Sequence, residues 1–214
     1  DHRDLHSFPT RRSSDLRLLC NTAALTEFLP DLLCPFLSRH PHINVELQEY
    51  PSGEIVRLVT IGRADLGIVA DSVDHGQLAV KPFRTDQLVA IMPRRNPLAG
   101  EESVSFADLL GYPFVGFTKG SALQNHLDGH AERLGCRIDY RVRLHDVDAV
   151  CRVVAGNVGI AVVSATAALR YGSDLALCHI PLTDGWANRQ LMICAKEFGE
   201  LPAYTQRLLE AMAP

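Results

Sequence analysis

No apolar run in this sequence approaches the ~20 residues needed to cross a bilayer, and no apolar h-region of a signal peptide stands at its start. No Cys-x-x-Cys pair occurs among the cysteines Cys20, Cys34, Cys136, Cys151, Cys178 and Cys194. Most sit in apolar contexts, such as Leu18-Leu19-Cys20 and Ala149-Val150-Cys151, and read as buried, reduced thiols of a cytoplasmic protein. An excess of positive charge is also missing. Lys and Arg number 21 against 25 Asp and Glu, for a net charge of -4. That argues against this chain gripping a nucleic-acid backbone, which takes a basic face. A small acidic ligand stays open, because local positive sites can sit in a negative protein.

The motifs of several enzyme classes are absent. A nucleophile elbow needs Gly-x-Ser-x-Gly; Gly120-Ser-Ala-Leu lacks it, and Ser164 lies in Val-Ser-Ala. Gly156-Asn-Val-Gly159 lacks the Lys-Ser/Thr of a P-loop and the Gly-x-Gly-x-x-Gly of a dinucleotide fold. It reads as a turn after a helix. His126 and His130 have the i, i+4 spacing of a zinc-binding helix face, but Leu127 stands where the zincin pattern needs Glu, so both are expected to face solvent. His40 and His42 flank Pro41 in a turn, and Arg94-Arg95 is too short for a nucleic-acid patch. No acid/base pair stands out. The expectation is therefore no enzyme, no cofactor and no metal.

What is present is ordinary globular material, 47% hydrophobic and 21% charged, over a length that suits one large domain or two small lobes. The first sixteen residues are the exception. They have no apolar period, and they resemble a translated adapter or cloning scar; the alternative is a disordered linker whose Arg11-Arg12 touches a partner. The folded chain is expected to start near Arg17.

From there the pattern alternates. Arg17 to Cys20 reads as a strand, and Asn21-Thr22 as a helix start. Leu25, Phe28, Leu29, Leu32, Leu33, Phe36 and Leu37 form an amphipathic stripe that Pro30 and Pro35 should break or kink, with a restart at Pro30. Ile43 to Glu49 alternates like a strand, Ser52 to Gly62 is helical, and Ala64 to Ala70 is a buried strand. This β-α-β-α-β order implies a parallel sheet. Leu78 to Phe83 and Gln87 to Met92 read as two strands joined by Arg84-Thr-Asp86. A second β-α set follows: a helix capped by Ser105, a strand from Pro113 to Phe117, a helix from Ser121, a strand from Ile138 to Val142, a helix capped by Asp146, a strand to Val163 and a helix capped by Ser164. Strands from Leu175 to Ile180 and Arg189 to Ala195, then a helix after Pro202, complete the chain.

The organisation expected is α/β: two Rossmann-like lobes joined by two crossing strands. Lobe I takes 17-85 plus 190-214, lobe II takes 86-189, and a cleft lies between them. In open α/β sheets ligands sit beyond the carboxyl ends of strands. Those ends are Asn21-Thr22, Ala70-Asp71, Thr118 to Ser121 and Val163-Ser164. The Thr118-Lys-Gly-Ser121 turn is the most informative. It offers free main-chain N–H groups, two hydroxyls and the Lys119 ammonium at a helix N-terminus, a place that suits an anion. The plainer reading is that Ser121 caps the helix and that Lys119 is solvated.

The chain resembles one family over nearly all of residues 17 to 213. The resembling pieces are Leu25-Thr-Glu-Phe-Leu-Pro30, Phe36-Leu-Ser-Arg-His-Pro41, Gly62-Arg-Ala-Asp-Leu-Gly-Ile68, Leu88-Val-Ala-Ile-Met-Pro93 with Asn96-Pro-Leu98, Phe106-Ala-Asp-Leu109, and Val154-Ala-Gly-Asn-Val-Gly-Ile-Ala-Val-Val163. In this order they look like the effector-binding domain of LysR-type transcriptional regulators. The resemblance implies a type 2 periplasmic-binding-protein fold, a small-molecule effector, and dimers or tetramers. Carried over by position, the effector-binding candidates are Asn21, Thr22, Ala70, Thr118, Ser121 and Val163; Lys119 and Ser164 join them from the reading of the residues. The sequence departs from its relatives at Ala70, where a hydroxyl is common, and at Ala23. It also lacks the family's N-terminal helix-turn-helix and linker helix, so DNA contact is expected only through a missing domain. The alternative is a transport-type solute-binding protein of the same fold.

Overall fold

In the computed structural model, residues 15–119, 121–172 and 175–213 are described. The sixteen-residue leader of the sequence reading lies outside that range except for its last two residues. Those two belong to the fold: the first strand, β1, is Asp15–Cys20, and Leu16 is fully buried. The folded chain thus begins earlier than Arg17, because Leu16 continues the alternation of Leu18 and Cys20. The chain divides into two compact units, 1–83 with 192–214 and 84–191.

Unit 1 contains β1, helices α1 (Thr22–Glu27) and α2 (Leu29–Arg39), strand β2 (Asn44–Glu49), helix α3 (Ser52–Thr60) and strand β3 (Leu66–Ala70). Strands β2 and β3 flank β1 and are both parallel to it, as the alternation implied. The two-helix reading around Pro30 holds. Asn21 caps α1 by accepting from Ala24 N–H at 3.0 Å, and Pro30 opens the first turn of α2, where a missing N–H is harmless. Pro35, expected to break or kink the stripe, lies inside a helix that continues to Arg39. On one sheet face Leu19 packs with Ile55, Val59, Ala64, Val69 and Cys194. Gly67 permits this approach; a Cβ there would stand 2.5 Å from Ile55 Cγ2 and 2.8 Å from Cys194 Sγ. The C-terminal helix α8 (Ala203–Ala211) belongs to this unit and packs against α2.

The chain enters unit 2 along β4 (Ala79–Pro93) and leaves along β9 (Asn188–Ala195). The two strands expected at Leu78–Phe83 and Gln87–Met92 are therefore one. Arg84-Thr-Asp86 has the polarity of a turn, but its side chains and main chain are paired. Asp86 is buried against Arg189, and Gln190 Nε2 donates to Arg84 O at 3.1 Å.

Within unit 2 follow α4 (Phe106–Leu109), β5 (Phe114–Phe117), α5 (Ala122–Arg133), β6 (Tyr140–Leu144), α6 (Val147–Ala155), β7 (Ala161–Ser164), α7 (Ala165–Gly172) and β8 (Leu177–Pro181). Strand β6 starts later than the expected Ile138. Strands β5 and β6 run parallel, whereas β4 is antiparallel to both β7 and β8. Alternate residues of β4 enter opposite cores. Leu88, Ala90 and Met92 pack with Phe106, Leu109, Phe114 and Leu127. Val89 and Ile91 pack with Val115, Val150, Cys151 and Val154. Both faces are thus covered by helices, which explains the unbroken apolar run from Leu88 to Met92.

Candidate functional site

Unit 1 gathers Asn21, Thr22 and Ala70 at the carboxyl ends of β1 and β3. Asn21 N–H donates to Ile68 O at 3.1 Å, which fixes the cap beside β3. The linking group is Ser52, which the sequence reading did not single out. Its Oγ accepts from Ala70 N–H at 3.1 Å and lies 3.5 Å from Asn21 Nδ2. Ser52, at the start of α3, thus places a hydroxyl beside the Ala70 main chain. Thr22 donates its hydroxyl to the Glu49 carboxylate. A carboxylate at this strand end disfavours an anion, and together with burial it pushes the Cys20 thiol up to about 12, burial being the larger cause.

Unit 2 gathers Thr118, Lys119, Ser121 and Ser164 at the ends of β5 and β7. Ser121 caps α5: Gln124 N–H points at its Oγ over 3.4 Å, and Ser121 N–H donates to Thr118 O at 3.2 Å. Ser164 caps α7 through Ala167 N–H at 3.0 Å, and it is buried. Lys119 is exposed. Val163 is fully buried, with its side chain in the core beside Val150 and Cys151. The expectation that Val163 lines the site fails for its side chain: β7 is covered on both faces, so only main-chain atoms are left for a ligand.

The turn is held by residues that were not foreseen. Thr118 N–H donates to Leu144 O at 3.0 Å, and Thr118 Oγ1 lies 3.3 Å from His145 Nδ1. Beneath it, Gln124 is completely buried. Its Oε1 accepts from Phe117 N–H at 2.8 Å, and its Nε2 donates to Asp128 Oδ1 at 3.1 Å and to Tyr140 Oη. Tyr140 donates to Asp128 Oδ1 at 2.7 Å, and burial, then Asp128, push its phenol well above the usual range. A polar residue following a helix start gave one sequence signal for Gln124; none pointed to His145, which follows β6 and is 27 residues from Thr118 in the chain.

His126 and His130 are only partly exposed, in contrast to the expectation that both face solvent. The His130 ring stacks on Trp186 with centroids 3.9 Å apart, and His126 sits 5.1 Å from the same indole. Trp186 supplies an apolar cover that a local reading of α5 does not see. Among the described residues no group of three or more His, Cys, Asp or Glu side chains could hold a metal. No helix there is long and apolar enough to cross a membrane.

The sequence profile of the LysR substrate binding domain matches residues 10–214. The chain belongs to this family. Among curated relatives of the LysR chain are the HTH-type transcriptional regulator CysL of Bacillus subtilis, 26% identical over 64% of this chain and 46% of CysL, and the HTH-type transcriptional regulator SsuR of Burkholderia cenocepacia, 24% identical over 87% of this chain and 60% of SsuR. The chain thus spans about half the length of the curated relatives it matches. Two solved structures share its fold. The CcmR regulatory domain of Synechocystis, in complex with 2-PG, is 26% identical, with a TM-score of 0.72 over 92% of this chain and 95% of that one. The BenM effector binding domain with its effector benzoate is 19% identical, with a TM-score of 0.70 over 92% and 90%. The LysR effector-domain fold, of periplasmic-binding-protein-like type, is therefore the architecture of this chain.

Proposed function

We propose that this LysR domain senses a small organic effector, for which each unit by itself offers candidate strand-end residues: Asn21, Thr22, Ser52 and Ala70 in unit 1, and Thr118, Lys119, Ser121 and Ser164 in unit 2. The observation that carries the reading is the Thr118–Ser121 turn. It stands at the end of β5 and the start of α5, with one hydroxyl capping the helix and the other hydrogen-bonded to His145. Helix N-termini of this kind favour anions. Family relatives support the ligand class, since CcmR is solved with 2-PG, BenM with benzoate and QuiR with shikimate. In the whole protein, an effector that prefers one arrangement of the domain shifts its population, by no more than its differential affinity, and the shift is passed on to DNA binding. Dimers or tetramers in the cytoplasm and the absence of catalysis are part of the same reading, supported by relatives named as transcriptional regulators.

The test is a thermal-shift screen of small carboxylic acids, in which a bound ligand raises apparent stability by mass action. Thr118→Ala with Ser121→Ala is expected to weaken the responding acid at least tenfold and to cost less than ~2 kcal/mol of unliganded stability. Affinity unchanged by calorimetry removes the turn from the site.

A further inference from the structure

The turn has one cationic neighbour that the sequence did not mark. Arg143 lies on β6 one residue before Leu144, whose carbonyl holds Thr118 N–H, and two before His145. It pairs in register with Gly116 of β5. Its guanidinium carbon stands 4.0 Å from the Tyr140 ring centroid. That ring is fixed, because its hydroxyl is bound by Asp128 and Gln124. The platform is therefore held in place, and the cation sits over its face.

Arg143 Nη1 is shielded from solvent, yet it has no hydrogen-bond partner. A guanidinium stays charged at every relevant pH, and its N–H groups seek acceptors. Unpaired buried polar groups are few in native proteins and each calls for a physical cause. Asp128, the acid that shares the Tyr140 cluster, already accepts from Gln124 and Tyr140 through Oδ1. So a positive group with a vacant donor stands on β6 next to the turn, where the Thr118 hydroxyl, bonded to His145, and the exposed Lys119 also lie.

We propose that Arg143 is the anion-recognition residue of the unit 2 site, and that the effector presents a carboxylate or phosphate oxygen to its guanidinium. The proposal rests on the reading of the Thr118–Ser121 turn as part of the effector site. Rotation of the half-buried side chain on its ring platform turns Nη1 toward the ligand, while the planar fork suits a two-oxygen anion. Lys119, exposed and flexible, then steers rather than anchors.

The experiment uses the full chain, with benzoate, shikimate and inorganic phosphate at millimolar concentration as probes, and benzamide as the uncharged counterpart of benzoate. At least one anion raises the melting temperature and benzamide does not; whether the carboxylates or phosphate respond separates the two sources. Arg143→Met loses at least tenfold in affinity for the responding anion, and Arg143→Lys recovers part of it. Arg143→Gln replaces the Met variant if that one does not fold. Parent-like anion binding by Arg143→Met, with binding lost in the Thr118→Ala/Ser121→Ala variant, overturns the role of Arg143 and leaves the turn in the site. Loss in Arg143→Met with none in the double variant removes the turn instead. Equal responses to benzoate and benzamide, or no response to any anion, overturn the proposal.

Discussion

Gly116 sits where a methyl group has no room. A Cβ there would stand 2.5 Å from Tyr140 Cε1 and 2.7 Å from Gln124 Oε1. Neither neighbour can retreat freely, since both belong to the network with Asp128. Gly116→Ala is expected to cost ~1–3 kcal/mol in denaturant melts, and to loosen the Phe117–Gln124 bond under the turn. Cysteine chemistry divides at the same scale. Burial pushes Cys20 and Cys194 up to about 12 and Cys151 up to about 11, and all three are buried. Cys34 and Cys136 are exposed, against the expectation of general burial. An aromatic disulfide reagent should therefore titrate two thiols quickly in the native chain and the half-buried Cys178 more slowly, with the three buried ones released only on unfolding. Fast reaction of Cys20 or Cys194, read by peptide mapping, would contradict their burial.

His126 contributes a pH dependence, and the pKa of His130 beside it is lowered too, by burial and then by Arg133. Burial, then the charges of His130, Arg189 and Arg133, lower the pKa of His126 from 6.5 to about 4, while a hydrogen bond to the Trp186 main chain pulls the other way. The folded state thus holds it neutral. Its contribution is complete above the unfolded value of 6.5 and is lost as pH falls toward 4. Discounted for partial exposure, the loss is about 1–2 kcal/mol. Melting curves between those limits should fall more steeply for the parent than for His126→Gln, and parallel curves would show that the ring is not desolvated.

At the scale of elements, the β4–β9 pair holds the main surprise. Asp86 is 1% exposed; its Oδ2 pairs with Arg189 Nη2, while its Oδ1 and Arg189 Nε have no hydrogen-bond partner. A buried pair satisfied on one side only is fragile to single substitution. Asp86→Ala, which leaves the guanidinium uncompensated, is expected to cost ~3–5 kcal/mol, and Asp86→Leu with Arg189→Met to recover most of it. Chemical denaturation of the single and double variants checks this; equal losses in both would mean that the charges themselves are needed. The same pair explains why the sequence suggested a turn here. Polar residues in a row mark loops when nothing distant answers them, and Arg189 lies 103 residues away. The helices were easier, because Asn21, Ser105, Ser121, Asp146 and Ser164 announce themselves as caps locally. Pro35 was misjudged for the opposite reason: a local rule was overridden by the burial of Leu33 and Phe36 on either side of it.

For the whole molecule, the family and the α/β alternation were legible because ordered short motifs and apolar periods survive without tertiary information. The candidate site was legible only by halves. Asn21, Thr118, Ser121 and Ser164 could be placed at strand ends, but Ser52, His145 and Arg143 come from elements 18 to 31 residues away from the atoms they meet or the turn they flank. Val163 shows the converse error, since position at a strand end does not tell which way a side chain points.

The interleaving of the two units also sets a timetable. Unit 2 is one continuous segment, whereas unit 1 is completed by residues 192–214. Strand β9 lies next to β3, and Cys194 fills the space over Gly67. During synthesis on a ribosome, the first 83 residues emerge before their last strand exists. Unit 2 can close its cores while the sheet of β2, β1 and β3 still waits with an open edge. The final two dozen residues then finish the part of the protein that was started first, so that a chain stopped just short of them carries a finished sensor half and an unfinished one.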